Sequence, residues 1–468
     1  MRVAAARVGA MASKTSSRGK TPGYRCAECG WTTVKWVGRC GECQAWGSIG
    51  DNGPVGARTQ AASVAEPAPI IADVDASAAQ FRPTYVGELD RVLGGGLVPG
   101  AVILLAGEPG VGKSTLLLDV ASRAAVSGNR VLYVTGEESA AQVKLRADRI
   151  GAIADTLHLT AETDLAQALG QVEALSPDVL IVDSVQTLSS TEVDGAAGGV
   201  TQIREVASSL ISAAKKRNMT AILVGHVTKE GSIAGPRLLE HLVDVVCQFD
   251  GERHSRLRLL RAIKNRYGPT DEVGCFDLTE NGIIGLADPS GLFIAGTEQQ
   301  VSGTCVTVSL EGRRPLLAEI QALVSPTSGG QARRSVTGLD SSRMSMLLAV
   351  LQARASVFLM ERDTYVATVG GVKLTEPAVD LAAAMALASA YADQPLSRRL
   401  VTFGEVGLAG EVRRVPEISR RLHEAERLGF THAIVPPSPE PLTGIPSGFK
   451  VREVTTLAEA LQTVFPRK

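Results

Sequence analysis

The sequence predicts an α/β fold built on a parallel sheet, and three observations carry that prediction. Apolar runs of strand length recur at Ala101 to Ala106, Arg130 to Val134, Asp178 to Asp183 and Thr220 to His226, separated by helix-length segments. The first run passes directly into a glycine-rich turn and then a helical pattern beginning at Thr115. After about Gly285 a new cycle of strands and helices starts, with Val301 to Val308 and Leu317 to Val324, which predicts a second α/β domain.

The 468 residues leave room for two or three domains, and a hydrophobic content of 44% lets each bury a core. With 48 basic and 49 acidic side chains the formal net charge is -1, so any contact with a polyanion must come from a local patch. No stretch approaches ~20 consecutive apolar residues, and the start lacks a sustained apolar signal region. No membrane partner and a cytoplasmic location are therefore expected. Residues 1–23 are expected to form a disordered leader, in which Met11 offers an alternative start to Met1.

Four of the seven cysteines crowd together as Cys26-Ala-Glu-Cys29 and Cys40-Gly-Glu-Cys43. Two such knuckles separated by ten residues can bring four thiolates tetrahedrally around one Zn²⁺. A pair of disulfides is the alternative, disfavoured in a reducing compartment. The module at 24–49 holds Trp31, Trp36 and Trp46 as its main apolar bulk, so metal binding should supply folding free energy. Residues 50–80, rich in Ala, Pro and small polar side chains, read as a mobile linker, while Cys247, Cys275 and Cys305 read as core thiols.

Gly107-Glu108-Pro109-Gly110-Val111-Gly112-Lys113-Ser114, followed by Thr115 at the head of a helix, has the composition and position of a P-loop. Its glycines let backbone N–H groups curve around ATP phosphates, Lys113 neutralises β and γ charge, and Ser114 offers a hydroxyl to Mg²⁺. Asp183, closing a buried-strand pattern, is the expected acidic partner of that metal; its bland alternative is a helix-capping aspartate. Glu137 or its neighbour Glu138, at the end of the strand beginning at Arg130, would polarise the attacking water, and the other would be solvated or cap the helix Ser139 to Ile150. His226 ends the fourth strand ahead of a polar, glycine-rich stretch and could sense the γ-phosphate. These features define a RecA-like P-loop core spanning 81–285, with ATP and Mg²⁺ as cofactors.

Taken together, the four-cysteine module, the segment Glu88-Leu-Asp-Arg-Val-Leu-Gly-Gly-Gly-Leu-Val-Pro-Gly100, the P-loop, His226-Val-Thr-Lys-Glu-Gly231 and Lys264-Asn-Arg-Tyr-Gly268 resemble the bacterial RadA (Sms) family of DNA-repair and recombination proteins. The resemblance runs from Tyr24 onward; Tyr267 stands where that family usually has phenylalanine, which keeps the ring. It implies a RecA-type ATPase related to hexameric helicases, acting on single-stranded and branched DNA, driving branch migration, working with a RecA-type recombinase, and associated with the nucleoid. By the same resemblance Lys264 and Arg266 would reach the neighbouring subunit's ATP site or couple it to DNA. His226 would link the γ-phosphate to the loop behind it. Independently of the resemblance, Arg253, Arg256, Arg258, Arg261, Lys264 and Arg266 make a locally basic stretch that could meet phosphates. Alternation of Arg256 and Arg258 with Leu257 and Leu259 suggests that some of these arginines face solvent from a strand.

In the last domain, 286–468, Tyr365-Val-Ala-Thr-Val-Gly-Gly371, the alanine-rich segment after Pro377 and Val401-Thr-Phe-Gly-Glu-Val-Gly-Leu-Ala-Gly-Glu-Val412 resemble the proteolytic domain of Lon proteases. Such peptidases need a serine activated by a lysine. Ala378 occupies the serine's place and the lysine's place falls near Ser419, so a Lon-like domain lacking the dyad is expected. It would serve as a scaffold for ring assembly and DNA binding, with Arg313, Arg314, Arg333, Arg334 and Arg343 as candidate phosphate contacts. The leading expectation is a DNA-dependent ATPase motor; the alternatives are a RecA-fold ATPase acting on proteins and an ATP-regulated peptidase.

Overall fold

Short β-paired segments around the cysteines make the first unit of the chain, and a metal rather than apolar burial must hold it. The computed structural model describes residues 23–51, 68–73, 76, 79–226, 239–251, 256–294, 300–327, 330–438 and 448–465. All but the last residue of the expected leader, most of the expected linker, Arg253 and the segment after His226 lie outside them. Strands β1 (Tyr24–Cys26), β2 (Thr32–Thr33) and β3 (Ile49–Asp51) form an antiparallel sheet in the order β2-β1-β3. Among the described residues its buried core is Cys26, Cys40 and Ile49, with Tyr24, Trp31 and Val37 against them. That is too little to stabilise a fold by burial alone.

The second unit, Ala76–Lys468, carries two sheets. In the first, β4 (Val102–Gly107), β5 (Val131–Thr135), β6 (Leu157–Ala161), β7 (Val179–Asp183), β8 (Thr220–His226) and β9 (Val245–Asp250) run parallel. They continue into the antiparallel strands β10 (Leu257–Asn265), β11 (Val273–Thr279) and β12 (Gly282–Gly285). The order is β12-β11-β10-β9-β4-β8-β7-β5-β6. Strands β4, β5 and β7 are buried at every position, as near-continuous Val, Ile and Leu runs covered on both faces should be. One face packs α1 (Gly87–Leu93), α2 (Lys113–Val126) and α3 (Ala140–Ile150); the other packs α4 (Leu165–Leu175) and α5 (Val200–Arg217).

The C-terminal sheet contains β13 (Thr304–Glu311), β14 (Arg314–Pro326), β15 (Arg334–Thr337), β16 (Arg362–Thr368), β17 (Leu400–Thr402), β20 (His432–Val435) and β21 (Lys450–Glu453), in the order β15-β16-β14-β13-β17-β20-β21. Beside it lies the small hairpin of β18 (Glu405–Val406) and β19 (Val412–Arg413). Helices α6 (Ser341–Ala355), α7 (Asp380–Ala392), α8 (Ile418–Arg427) and α9 (Leu457–Val464) complete the domain. The alanine-rich α7 is buried from Asp380 through Ser389, as a helix packed on all sides within a domain is.

The two domains share a core, because Leu257 and Cys275 of the first sheet join the hydrophobic cluster of the second. A buried ion pair ties them as well. Arg314, at the start of β14, bonds to the Glu88 carboxylate of α1 and donates to the Val273, Leu286 and Ala287 carbonyls at 3.1, 2.8 and 2.8 Å. Glu88 in turn accepts from the Cys275 N–H at 2.9 Å.

Arg314 is therefore not a phosphate contact, since its guanidinium is consumed inside the protein. Arg343 is not one either, for it holds the buried Asp380 through two bonds of 2.7 and 2.6 Å. Arg313, Arg333 and Arg334 remain exposed, Arg313 at 3.3 Å from Asp271. At the position expected for a serine Ala378 is buried, and the basic side chain reaching that turn is Arg421, two residues beyond Ser419, near which the lysine's place is expected. Arg421 is fully buried, paired with Glu376 and donating to Val308 O at 2.6 Å. An arginine stays protonated and cannot serve as a general base, so this turn lacks both halves of the peptidase chemistry.

Replacing Arg314 by Met would leave the Glu88 carboxylate buried and unpaired, and should lower stability by about 3–5 kcal/mol, read as a fall in the urea midpoint. Adding Glu88→Gln should recover a large part of the loss.

Candidate ATP and zinc sites

The sheet register gathers the candidate residues at one edge. Gly107 pairs with His226 across β4 and β8, Thr135 pairs with Asp183 across β5 and β7, and Gly136 N–H donates to Asp183 O at 3.0 Å. Glu137 follows immediately. This is the carboxyl edge of the parallel strands, where open α/β sheets receive ligands.

The loop Glu108–Gly112 turns from β4 into α2. Gly112 sits at φ 108°, a conformation costly for any residue with a Cβ, and a Cβ there would also lie 2.6 Å from Ile283. No side chain caps α2 and its first turn carries no acid, so its leading N–H groups stay available to an anion. By contrast, Ser139 caps α3 with a capping box and Asp164 caps α4.

Lys113 is only 4% exposed. Its Nζ donates to Gly107 O at 2.8 Å and Glu108 O at 3.0 Å, and lies 3.4 Å from His226 Nδ1. Burial pushes its pKa down to about 8, against the upward pull of the Asp183 and Glu137 charges. His226 Nε2 is 2.7 Å from Glu137 Oε1, and the Ser184 hydroxyl donates to the same oxygen at 2.6 Å. Nε2 thus serves Glu137, leaving Nδ1 to accept from Lys113. Burial would raise the Glu137 pKa, but the bonds from Ser184 and His226 and the nearby positive charge outweigh it and hold the carboxyl below its usual range.

Glu138 turns away and pairs with Arg146 of α3, so the geometry distinguishes the two glutamates; Ser139, not a glutamate, caps that helix. Asp183 caps no helix. Its Oδ2 accepts from the Tyr133 hydroxyl at 2.7 Å, while its buried Oδ1 has no hydrogen-bond partner. A buried orphan carboxylate oxygen at the end of β7 fits a site for hard Mg²⁺, which takes oxygen ligands.

Lys264 and Arg266 stand elsewhere. Lys264 pairs with Val246, level with Leu104, and Asn265 with Val245, level with Ile103, so the two cations lie toward the opposite edge of the sheet from Gly107, about 10 Å or more away along the strands. Lys264 Nζ donates to Glu240 O and Val243 O at 2.9 and 2.8 Å, and Arg266 meets the buried Asp244 at 3.0 Å. Arg258 does not face solvent: it is 6% exposed and reaches the phosphate loop. Sequence reasoning missed Tyr133 and Ser184, and named Arg258 only as one of six basic residues, without its burial against the phosphate loop. Adjacency to Asp183 could have flagged Ser184; nothing in a buried strand run marks Tyr133.

In the first unit, Cys26, Cys29, Cys40 and Cys43 bring their sulfurs within 4.8 Å of one another, with Cys26–Cys43 and Cys29–Cys40 both at 3.6 Å. All four are free thiols, at spacings that suit thiolates around one Zn²⁺ rather than disulfides. The Ser48 hydroxyl, 3.2 Å from Cys26 Sγ, lowers that thiol to about 6 despite an opposing desolvation effect.

A phosphate loop at the centre of a parallel sheet, with a strand-end acid and an adjacent glutamate, defines an ATPase domain of the RecA-like P-loop class. Residues 66–232 match a family model described as an AAA domain, 24–51 one described as a rubredoxin metal binding domain, and 359–439 one described as subunit ChlI of Mg-chelatase. DNA repair protein RadA of Mycobacterium tuberculosis is 52% identical over 94% of this chain and 92% of its own length. RadA of Mycolicibacterium smegmatis is 52% identical over 94% and 96%, and RadA of Streptococcus pyogenes 46% over 94% and 98%. A solved KaiC-like protein from Pyrococcus horikoshii shares 20% identity, covering 44% of this chain and 99% of its own, with a TM-score of 0.38. The chain belongs to the bacterial RadA family of DNA repair proteins. Its cofactors are ATP with Mg²⁺ and a Zn²⁺ in the four-cysteine ribbon.

Because burial pushes the Lys113 pKa down to about 8 without nucleotide and phosphate charge raises it again, binding MgADP at pH 9 should be accompanied by proton uptake. Calorimetry in buffers of different ionisation enthalpy reads this, and Lys113→Ala should abolish the uptake. All three tryptophans lie in the zinc ribbon, so stripping Zn²⁺ with a chelator should change tryptophan emission, and adding the metal back should restore it.

Proposed function

We propose that the chain is a DNA-dependent ATPase motor that binds single-stranded DNA and promotes branch migration of recombination intermediates. The observation that carries the reading is the division of charged groups between the two edges of one sheet. Lys113, Glu137, Asp183 and His226 stand at the carboxyl edge, and Lys264 and Arg266 at the other. Lys264 and Arg266 are too far from their own phosphate loop to serve it, so they suit the site of an adjacent protomer in a homohexameric ring.

In this mechanism the loop N–H groups and Lys113 bind the phosphates, replacing the carbonyl and His226 contacts that Lys113 makes in the free protein. Mg²⁺, held by Ser114 and Asp183, would neutralise phosphate charge. Glu137, released from His226 and still bonded by the Ser184 hydroxyl, orients the attacking water as a carboxylate. His226 then reports the state of the γ-phosphate to the segment that follows it. The repair names of the relatives support DNA as the polymer and a RecA-type recombinase as the partner.

Steady-state ATP turnover by zinc-loaded protein should rise on adding single-stranded DNA, and Lys113→Ala should abolish it. Lys264→Ala should keep nucleotide affinity while losing most DNA stimulation. Turnover indifferent to DNA would reject the motor and favour a protein-directed ATPase.

A further inference from the structure

Arg258 is a buried cation on a strand that sequence periodicity assigns partly to solvent, and what it touches explains the burial. Placing a guanidinium at 6% exposure against the α1–α3 face of the sheet is unfavourable unless its donors are used. Burial lowers its pKa. Its Nε donates to Val111 O at 3.1 Å and Nη1 to Leu257 O at 2.8 Å. The chain at Gly251 makes room for it: a Cβ there would stand 2.1 Å from Arg258 Cδ. A glycine at the end of β9 and an arginine at the start of β10 are thus fitted to one another, beside the phosphate loop.

Val111 is the buried residue of that loop, between Gly110 at φ 80° and Gly112 at φ 108°. Two glycines in the left-handed region leave the peptides on either side free to rotate. In a planar trans peptide the C=O of one residue and the N–H of the next point in opposite directions. Holding Val111 C=O toward Arg258 therefore aims Gly112 N–H the other way, away from the sheet face and into the loop.

We infer that Arg258 is a positioning residue for ATP binding: by anchoring Val111 O it presets the Gly112 N–H toward the phosphates, and its charge adds to the local positive field. This rests on the loop receiving ATP phosphates. Preorganised donors bind more tightly because less conformational freedom is lost on binding.

The test is equilibrium binding of fluorescent MgADP to the full zinc-loaded chain, with melting temperature measured alongside. Arg258→Met, which keeps the length and removes the donor, should raise Kd about tenfold, the scale of a charged hydrogen bond. Arg258→Lys should recover part of the affinity. Gly251→Ala, which displaces the guanidinium while keeping its charge, should weaken binding in the same direction, and it decides the matter if Arg258→Met does not fold. Wild-type Kd in folded Arg258→Met, or in Gly251→Ala, overturns the inference, as does equal loss in Met and Lys variants. If wild-type protein itself fails to bind MgADP, the nucleotide reading falls instead.

Discussion

The buried ammonium of Lys113 is the constraint around which the ATPase site is arranged. A charge at that depth must have its donors satisfied, and in the free protein two loop carbonyls and His226 Nδ1 do so. That requirement fixes which way His226 faces and so delivers its Nε2 to Glu137. Asp183, held by Tyr133 from within the core, supplies the compensating negative charge. ATP phosphates would offer Lys113 charged partners in place of neutral carbonyls.

The same sheet explains how separate surfaces can be linked. Strand β10 is tied near its start to the phosphate loop through Arg258 and at its end to Asp244 through Arg266. Asp244 also accepts the N–H of Val102, the first residue of β4, at 3.0 Å. The strand that carries Lys264 and Arg266 is thus anchored to both ends of the β4–loop element. In the C-terminal domain, the position that would need a nucleophile holds a buried alanine, and the neighbouring cation is an arginine locked to Glu376. An ion pair occupies that turn, and the domain shares a hydrophobic cluster with β10 and β11 of the ATPase sheet.

Much of this was legible in the sequence because it is local. The P-loop, the strand-end Asp183, the His226 strand and the paired cysteine knuckles each depend on spacing within a few residues, and a loop or knuckle of that length has few ways to fold. Less legible were pairings across the sheet. Periodicity allowed Arg258 to face solvent since alternation says which residues share a face, not which face is buried. Arg314 and Arg343 read as surface cations because their carboxylate partners, Glu88 and Asp380, lie 226 and 37 residues away.

The sequence by itself determined the chemistry available: a phosphate-cradling loop with its lysine, two candidate glutamates, four thiolates for zinc, and a C-terminal domain without a serine at 378. Tertiary structure decided the assignments among them. It turned Glu138 to Arg146 and Glu137 to Ser184 and His226, put Lys264 and Arg266 on the far edge of the sheet, and buried three arginines as structural ties. The physical reason is that a side chain's charge and donors are properties of the residue, whereas burial and partner are properties of the register that brings distant strands together.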